Sequence, residues 1–321
     1  MRFLITGGAG FIGAHMVDRF LARGDEVVVL DRLDTAGNLN RLSHMGWAKH
    51  PRLRFYYDDL RAPISEQRAK QLGEFDYVLH LGAATHVDRS IADPLSFVYD
   101  NVVATCNLLQ WARSLKALKL LLYFSTDEVF GAVPRGGAPF AEWDRYNSGN
   151  PYSATKAGAE ELCLAFHNTY KLPVAITHCM NAIGRYQHAE KFVPTVIRRV
   201  LADETVNLFT VNGQHDSRVY IDAAQIASAV EFLLDKAVPG DKYNIVGPEE
   251  ISNLDMARAI AARIPGYDLH YALCEYARPG YDLRYSMSSH KLNQMGWVPT
   301  GGIGDILDKI VPWYLDNREW L

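Results

Sequence analysis

The chain is short of cysteine, of long apolar runs and of excess charge of either sign, and each shortage removes a class of function. Four cysteines occur in 321 residues, Cys106, Cys163, Cys179 and Cys274, and no C-x-x-C pair joins any two of them. That spacing excludes a disulfide framework and predicts reduced, packed thiols in a cytoplasmic protein. No stretch approaches the roughly 20 consecutive apolar residues that cross a bilayer. The first residues already read as a strand, with no charged segment ahead of an apolar one, so neither a leader nor a membrane anchor is expected. The 33 basic and 37 acidic side chains give a net charge of −4 and no basic face for a phosphate backbone, which excludes nucleic acid as a partner. His167, His178, His188 and His215 fall near Cys179 in sequence, but no H-E-x-x-H or H-x-x-x-H spacing links them. No metal is expected. Repeats and low-complexity tracts are absent too.

What is present is the composition of a globular enzyme, 48% hydrophobic and 22% charged, enough for one large core and a smaller lobe. The apolar run Arg2 to Thr6 leads into glycine-rich Gly7 to Gly13, and Met16, Val17, Phe20 and Leu21 then recur at helical spacing. Strand-like runs return at Glu26–Leu30, Tyr77–Leu81, Leu120–Phe124 and Val174–Thr177, separated by helical or loop segments. Apolar strands alternating with helices predict an α/β chain, a Rossmann-type doubly wound parallel sheet with a smaller α/β substrate-binding lobe. The expected division is 1–178 for a cofactor domain with a returning segment near 205–235, and 179–321 for the lobe. Helices are expected at Phe192–Leu201 and Ala223–Leu234, and a short strand at Asn207–Val211. The loop Ala132–Asn150 reads as a cover over the site.

Gly7, Gly10 and Gly13 follow a strand and open a helix, the context in which a backbone approaches a pyrophosphate at a helix N-terminus. Phe11, Ile12, Leu81 and Ala83 flank the same strand ends and complete the expected cofactor contacts. Asp31 ends the second strand, where a carboxylate accepts from ribose hydroxyls and repels a 2′-phosphate, favouring NAD over NADP. The neighbouring Arg32 keeps the opposite reading open, since a guanidinium there suits a 2′-phosphate. Asp59-Leu60 is placed to meet the adenine, and equally reads as a capped loop.

Chemistry concentrates in Ser125-Thr126-Asp127-Glu128-Val129-Phe130-Gly131 and in Tyr152-x-x-x-Lys156. Tyr152 and Lys156 share one helix face. A phenol with an ordinary pKa of about 10 becomes a base only where positive charge favours phenolate, and Lys156 with an oxidised nicotinamide would supply it. Thr126 is placed to hold a sugar hydroxyl beside Tyr152. Two adjacent carboxyls in a sheltered site cannot both ionise easily, so one is set to serve as acid and the other as base. The pair also reads as a solvated acidic turn.

These residues, with Asp31-Arg32-Leu33, Ala36-Gly37-Asn38, His86 to Ile91, Asn101, Cys179 to Lys191 and Arg278 to Tyr285, resemble the extended short-chain dehydrogenase/reductases. Within them the chain is similar over its whole length to the nucleotide-sugar 4,6-dehydratases typified by dTDP-glucose 4,6-dehydratase. The resemblance implies NAD as cofactor and a reaction in which Tyr152 removes the C4 hydroxyl proton as hydride leaves C4. Glu128 then takes the C5 proton, Asp127 protonates the departing C6 hydroxyl, and hydride returns to C6. Thr126 would orient the C4 oxygen and Lys156 the nicotinamide ribose. Thr85, His86, Asn181, Lys191, Arg218, Arg278 and Tyr281 match substrate-binding positions, and guanidiniums suit its phosphates. Lys191 and Arg218 also read as ordinary surface ion-pair residues. Helices over Asn101–Ser114 and Tyr152–Tyr170 would pair across a twofold axis as a four-helix bundle, implying a homodimer.

The chain departs from the dTDP-glucose pattern at Ala84-Thr85, where Glu-Ser is usual, at Asn181 to Arg185, and at Tyr281, where His is usual. A UDP-hexose or a modified hexose nucleotide therefore stays open. So do a nucleotide-sugar 4-epimerase or UDP-glucuronate decarboxylase of the same fold, and a non-catalytic dinucleotide-sensing protein.

Overall fold

A computed structural model describes the chain apart from Thr35, Arg135, Asn212 and residues 276–283. Seven strands form the central sheet: β1 (Arg2–Thr6), β2 (Glu26–Asp31), β3 (Leu53–Tyr57), β4 (Tyr77–His80), β5 (Leu120–Thr126), β6 (Val174–Cys179) and, later in the chain, β11 (Lys242–Ile245). Their order is β11-β6-β5-β4-β1-β2-β3, with each neighbouring pair parallel. Residue alternation explains why both faces are covered. Phe3, Ile5, Val27, Val29, Leu120 and Leu122 enter one apolar core, and Leu4, Val28, Leu30, Leu121 and Tyr123 enter the other. From β1 the chain runs outward through β2 to β3 and then crosses back to β4 on the other side of β1, and this reversal of strand order opens a crevice beyond the carboxyl ends of the strands.

After β6 the chain builds two small sheets. One pairs β10 (Ser217–Asp222) with β7 (Asn181–Ile183) in parallel and with β12 (Glu250–Ser252) antiparallel. The other joins β8 (Val206–Val211) to β13 (Tyr271–Glu275) and to β9 (Gln214–His215). The expected helices Phe192–Leu201 and Ala223–Leu234 form with those bounds. They go to different places. Val193, Val196 and Ile197 enter the core of the smaller lobe, whereas Ile226, Val230 and Leu233 pack with Phe3 and Phe20 against the central sheet.

Two segments differ from their sequence reading. Residues 98–103 form a π-helical turn before the α-helix Ala104–Ala112, so the expected helix from Asn101 is broken at its start. The wider turn carries Asn101 inward, where its side chain holds Ala84 at both backbone groups and donates to Thr155 Oγ1 at 3.0 Å. The loop 132–150 does not cover the crevice: none of its described residues lines it. Phe140 and Tyr146 pack on Phe130, and Phe140 exchanges backbone hydrogen bonds with Ser286 and Ser288, which ties the loop behind the carboxylates. Among the described residues, no helix is long and apolar enough to cross a membrane, and no three His, Cys, Asp or Glu side chains are grouped to hold a metal.

Candidate active site

One cleft of about 990 Å³ runs along the carboxyl ends of the central strands. Gly7, Gly10, Phe11, Ile12, Gly13, Asp31, Arg32, Asp59, Leu60, Leu81 and Ala83 line it, as do Thr85, His86, Thr126, Asp127, Glu128, Tyr152, Lys156, Asn181, Lys191 and Arg218. Arg278 and Tyr281 lie outside the described residues.

The glycines are required by contact. Gly7 has a φ of +69°, and a Cβ there would stand 2.7 Å from the Gly82 nitrogen; one on Gly13 would stand 2.1 Å from the Gly7 carbonyl oxygen. Helix Phe11–Ala22 begins at Gly10 with no side-chain cap and no acid in its first turn. Its leading amides and positive dipole end are therefore available to an anion, which fits a dinucleotide diphosphate. Asp31 is held at the rim, Oδ2 accepting from Ala9 N at 3.0 Å and Oδ1 from Leu33 N at 2.8 Å. The Arg32 guanidinium turns away onto Asp100, with Nη2 at 2.9 Å from Oδ2, and onto Asp34. Those carboxylates hold it above its ordinary pKa and occupy the donors that a 2′-phosphate would need. Asp59 caps its own turn and pairs with Arg61.

At the end of β5, Thr126 caps the short turn Asp127–Phe130 and donates from Oγ1 to Asp127 Oδ1 at 3.0 Å. Asp127 Oδ2 is buried without a hydrogen-bond partner. Burial pushes the Asp127 carboxyl up to about 6, against the pull of Thr126 and of the Arg218 guanidinium. Glu128 is only half-buried and accepts at Oε2 from Asn150 Nδ2 at 3.1 Å. The two adjacent carboxyls thus differ in setting, Asp127 buried with one oxygen unpartnered and Glu128 half-buried and hydrogen-bonded to Asn150.

Helix Pro151–Tyr170 is started by an Asn150–Ser153 capping box with Pro151 in its first turn, which fixes Tyr152 and Lys156 against β5. Lys156 Nζ donates to the Phe124 carbonyl at 2.6 Å, and burial brings its pKa down to about 8 although Glu160 opposes the shift. Burial, with the Glu128 and Asp127 carboxylates, pushes the Tyr152 phenol well above its ordinary value; Thr126 acts in the opposite direction.

Further polar atoms wait along the cleft. His86 Nδ1, Asn181 Nδ2 and Gln187 Oε1 are buried without hydrogen-bond partners, and all three side chains line it. Sequence reasoning did not single out Gln187; nothing in residue type or spacing marks it. Asn150 escaped it too, although the Asn-Pro-x-Ser run that caps the helix of Tyr152 and Lys156 was a signal that could have found it.

Comparison with known proteins agrees with this layout. The family model described as GDP-mannose 4,6 dehydratase matches residues 4–310. A dTDP-glucose 4,6-dehydratase of Xanthomonas campestris pv. campestris is 37% identical, the match covering 99% of this chain and 94% of that protein. The structure of the Streptomyces venezuelae dTDP-glucose 4,6-dehydratase DesIV, solved with NAD and dTDP bound, superimposes with a TM-score of 0.91 at 35% identity, covering 100% and 98% of the two chains. The Thermus thermophilus UDP-glucose 4-epimerase, in complex with NAD, gives 0.88 at 28% identity over 98% and 99%. The chain belongs to the nucleotide-sugar 4,6-dehydratase family of the extended short-chain dehydrogenase/reductases.

Proposed function

We propose that this chain is an NAD-dependent hydro-lyase that converts a nucleoside-diphosphate hexose, of the dTDP-glucose or UDP-glucose type, to its 4-keto-6-deoxy derivative. The observation that carries this reading is the buried Asp127 oxygen without a partner, beside a hydrogen-bonded Glu128, in the cleft that also holds Tyr152 and Lys156. Bound NAD supplies the acceptor for hydride from C4 and its donor to C6. Thr126 orients the C4 hydroxyl, and Tyr152 removes its proton. Lys156 holds the nicotinamide ribose. Once C4 is a ketone the C5 hydrogen is acidic; Glu128 takes it, and Asp127 gives its proton to the leaving C6 hydroxyl, which departs as water. An epimerase would use Tyr152 and Lys156 but would leave both carboxyls without work.

Residues 1–178 hold the cofactor in this reading; of the returning segment expected near 205–235, helix Ala223–Leu234 packs on their sheet, which β11 also joins, whereas β8 and β10 belong with the rest of 179–321 to the sugar-nucleotide lobe. Asn181, Lys191, Arg218, Arg278 and Tyr281 meet its phosphates and sugar. We further propose a cytoplasmic homodimer joined through a four-helix bundle; Leu95, Val98 and Tyr99 stand exposed beside the expected helix pair and would be covered in it.

The test is incubation with dTDP-glucose and UDP-glucose in heavy water, followed by mass spectrometry. Loss of water with one solvent deuterium at C5 is expected. An unchanged substrate, or a 6-deoxy product without deuterium, overturns the assignment.

A further inference from the structure

Arg41 is among the largest fully buried side chains of the molecule, 2% exposed, yet no carboxylate among the described residues pairs with it. Its hydrogen bonds go to three carbonyls. Nε donates to Tyr186 O at 2.9 Å, and Nη1 to Ala9 O at 3.0 Å and Ala36 O at 2.7 Å. Ala9 lies inside the glycine turn, Ala36 in the loop after β2, and Tyr186 in the smaller lobe, held at a φ of +69°. Three segments that border the cofactor end of the cleft therefore meet on one cation.

A buried guanidinium that is hydrogen-bonded but not charge-paired is costly. Burial pushes its pKa down, and only Tyr314 and Asp31 act against that. Asp31 is already committed, its two oxygens accepting from Leu33 N and Ala9 N. The uncapped start of helix Phe11–Ala22 at Gly10 adds a second positive pole next to the same turn. Two positive features thus converge behind Gly7 to Gly13, and the Asp31 carboxylate beside them is held by backbone amides. Arg41 also lines the cleft.

We infer that Arg41 is a positioning residue for the cofactor diphosphate: it fixes the glycine turn through Ala9 and supplies, from behind it, the counter-charge that a diphosphate completes. The inference rests on the NAD reading above. Arg41 does not touch the reacting carbons, so its effect falls on binding.

The experiment is calorimetric titration of the full chain with adenosine, ADP and NAD, for the wild type and for Arg41→Lys, Arg41→Gln and Arg41→Met. Arg41→Gln and Arg41→Met should bind adenosine as the wild type does and bind ADP and NAD about tenfold more weakly. Arg41→Lys should retain most of the preference for ADP, and the salt dependence of ADP binding should fall in the two uncharged variants. If Arg41→Met does not fold, the comparison of Gln with Lys carries the same test, since both donate to the carbonyls and only Lys is charged. Uncharged variants that keep the wild-type ratio of ADP to adenosine affinity, or that lose both ligands in equal measure, would overturn the inference. A wild type that binds neither ADP nor NAD overturns the cofactor reading and this inference together.

Discussion

Thr126 donates to one carboxylate oxygen of Asp127 at 3.0 Å and leaves the other buried and unpartnered. Burial outweighs the Thr126 hydrogen bond, the Arg218 guanidinium and the backbone amides of the turn, so the carboxyl reaches about 6 and retains a proton further toward neutrality than an exposed aspartate. The free oxygen is where a departing hydroxyl would meet that proton.

Replacing Asp127 by Asn should slow water loss by about 10²–10⁴-fold and C4 oxidation by much less. Single-turnover traces of reduced-nicotinamide absorbance, set against product formation, separate the two steps; equal slowing of both contradicts the role. The same carboxyl acts on stability. Its folded pKa, about 6, lies above the ordinary 3.8, so its favourable contribution is complete below about 4 and is lost as pH rises through 6. Asp127→Asn should therefore be more stable than wild type at pH 8, on the order of 1–3 kcal/mol, with the gap closing toward pH 4.

Lys156 makes the same trade with the opposite charge. Its folded pKa is about 8 against an ordinary 10.5, so the cation is penalised at every pH below 8 and the penalty lifts between 8 and 10.5. Lys156→Met should raise the thermal midpoint of the cofactor-free chain at pH 7 while lowering C4 oxidation by at least about 10²-fold. A variant that loses activity and stability together at pH 7 would show that the amine is needed for packing instead.

Arg32 should be idle toward NADP because Asp100 and Asp34 hold it. The double variant Asp34→Asn, Asp100→Asn frees the guanidinium. It should shift the ratio of NADP to NAD affinity by about tenfold toward NADP, as expected for one charge-assisted contact with a phosphate. Fluorescence titration with both dinucleotides measures this, and an unchanged ratio sinks the explanation.

That contrast also marks how far the sequence could be read. Asp31 at a strand end and Gly7 to Gly13 ahead of a helix were legible because each is a local pattern: a period, then a turn. The state of Arg32 was not, since Asp100 lies 68 residues away and arrives through a π-helical turn that no hydrophobic period announces. The loop 132–150 was misplaced for a related reason. Its glycines and prolines announce irregular backbone, but tertiary contacts, among them those with Phe130, Ser286 and Ser288, decide on which side of Glu128 it packs. Tyr152, Lys156, Asp127 and Glu128 were found because short-range spacing fixes them to one helix face and one strand end. Arg41 and Gln187 depend on tertiary contacts alone.

The last prediction concerns the layer behind the site. Glu160 is fully buried one turn beyond Lys156, with His178 Nε2 at 3.0 Å and Lys242 Nζ at 3.4 Å, and it accepts from Ser125 and Tyr146 as well. Asn244 Nδ2 donates to the Phe140 carbonyl at 3.2 Å, which turns Asn244 Oδ1 toward His178 Nδ1 at 2.9 Å. Both ring nitrogens of His178 then face acceptors, and the cluster joins β5, β6, β11, the catalytic helix and the 132–150 loop. Burial would raise the Glu160 carboxyl, but His178, Lys242 and Ser125 outweigh it and bring it to about 2 from an ordinary 4.5. Its contribution is thus complete above 4.5 and is lost as pH falls toward 2. Glu160→Gln should cost roughly 3–5 kcal/mol at pH 7, because the Lys242 ammonium is left buried with its counter-charge removed. It should also flatten the acid limb of stability between those two pH values. Adding Lys242→Met to Glu160→Gln should recover part of the loss, since one stranded charge leaves with its partner. Denaturant unfolding of the single and double variants from pH 3 to 7 checks both, and strictly additive losses would mean that the cluster does not act as a charge network.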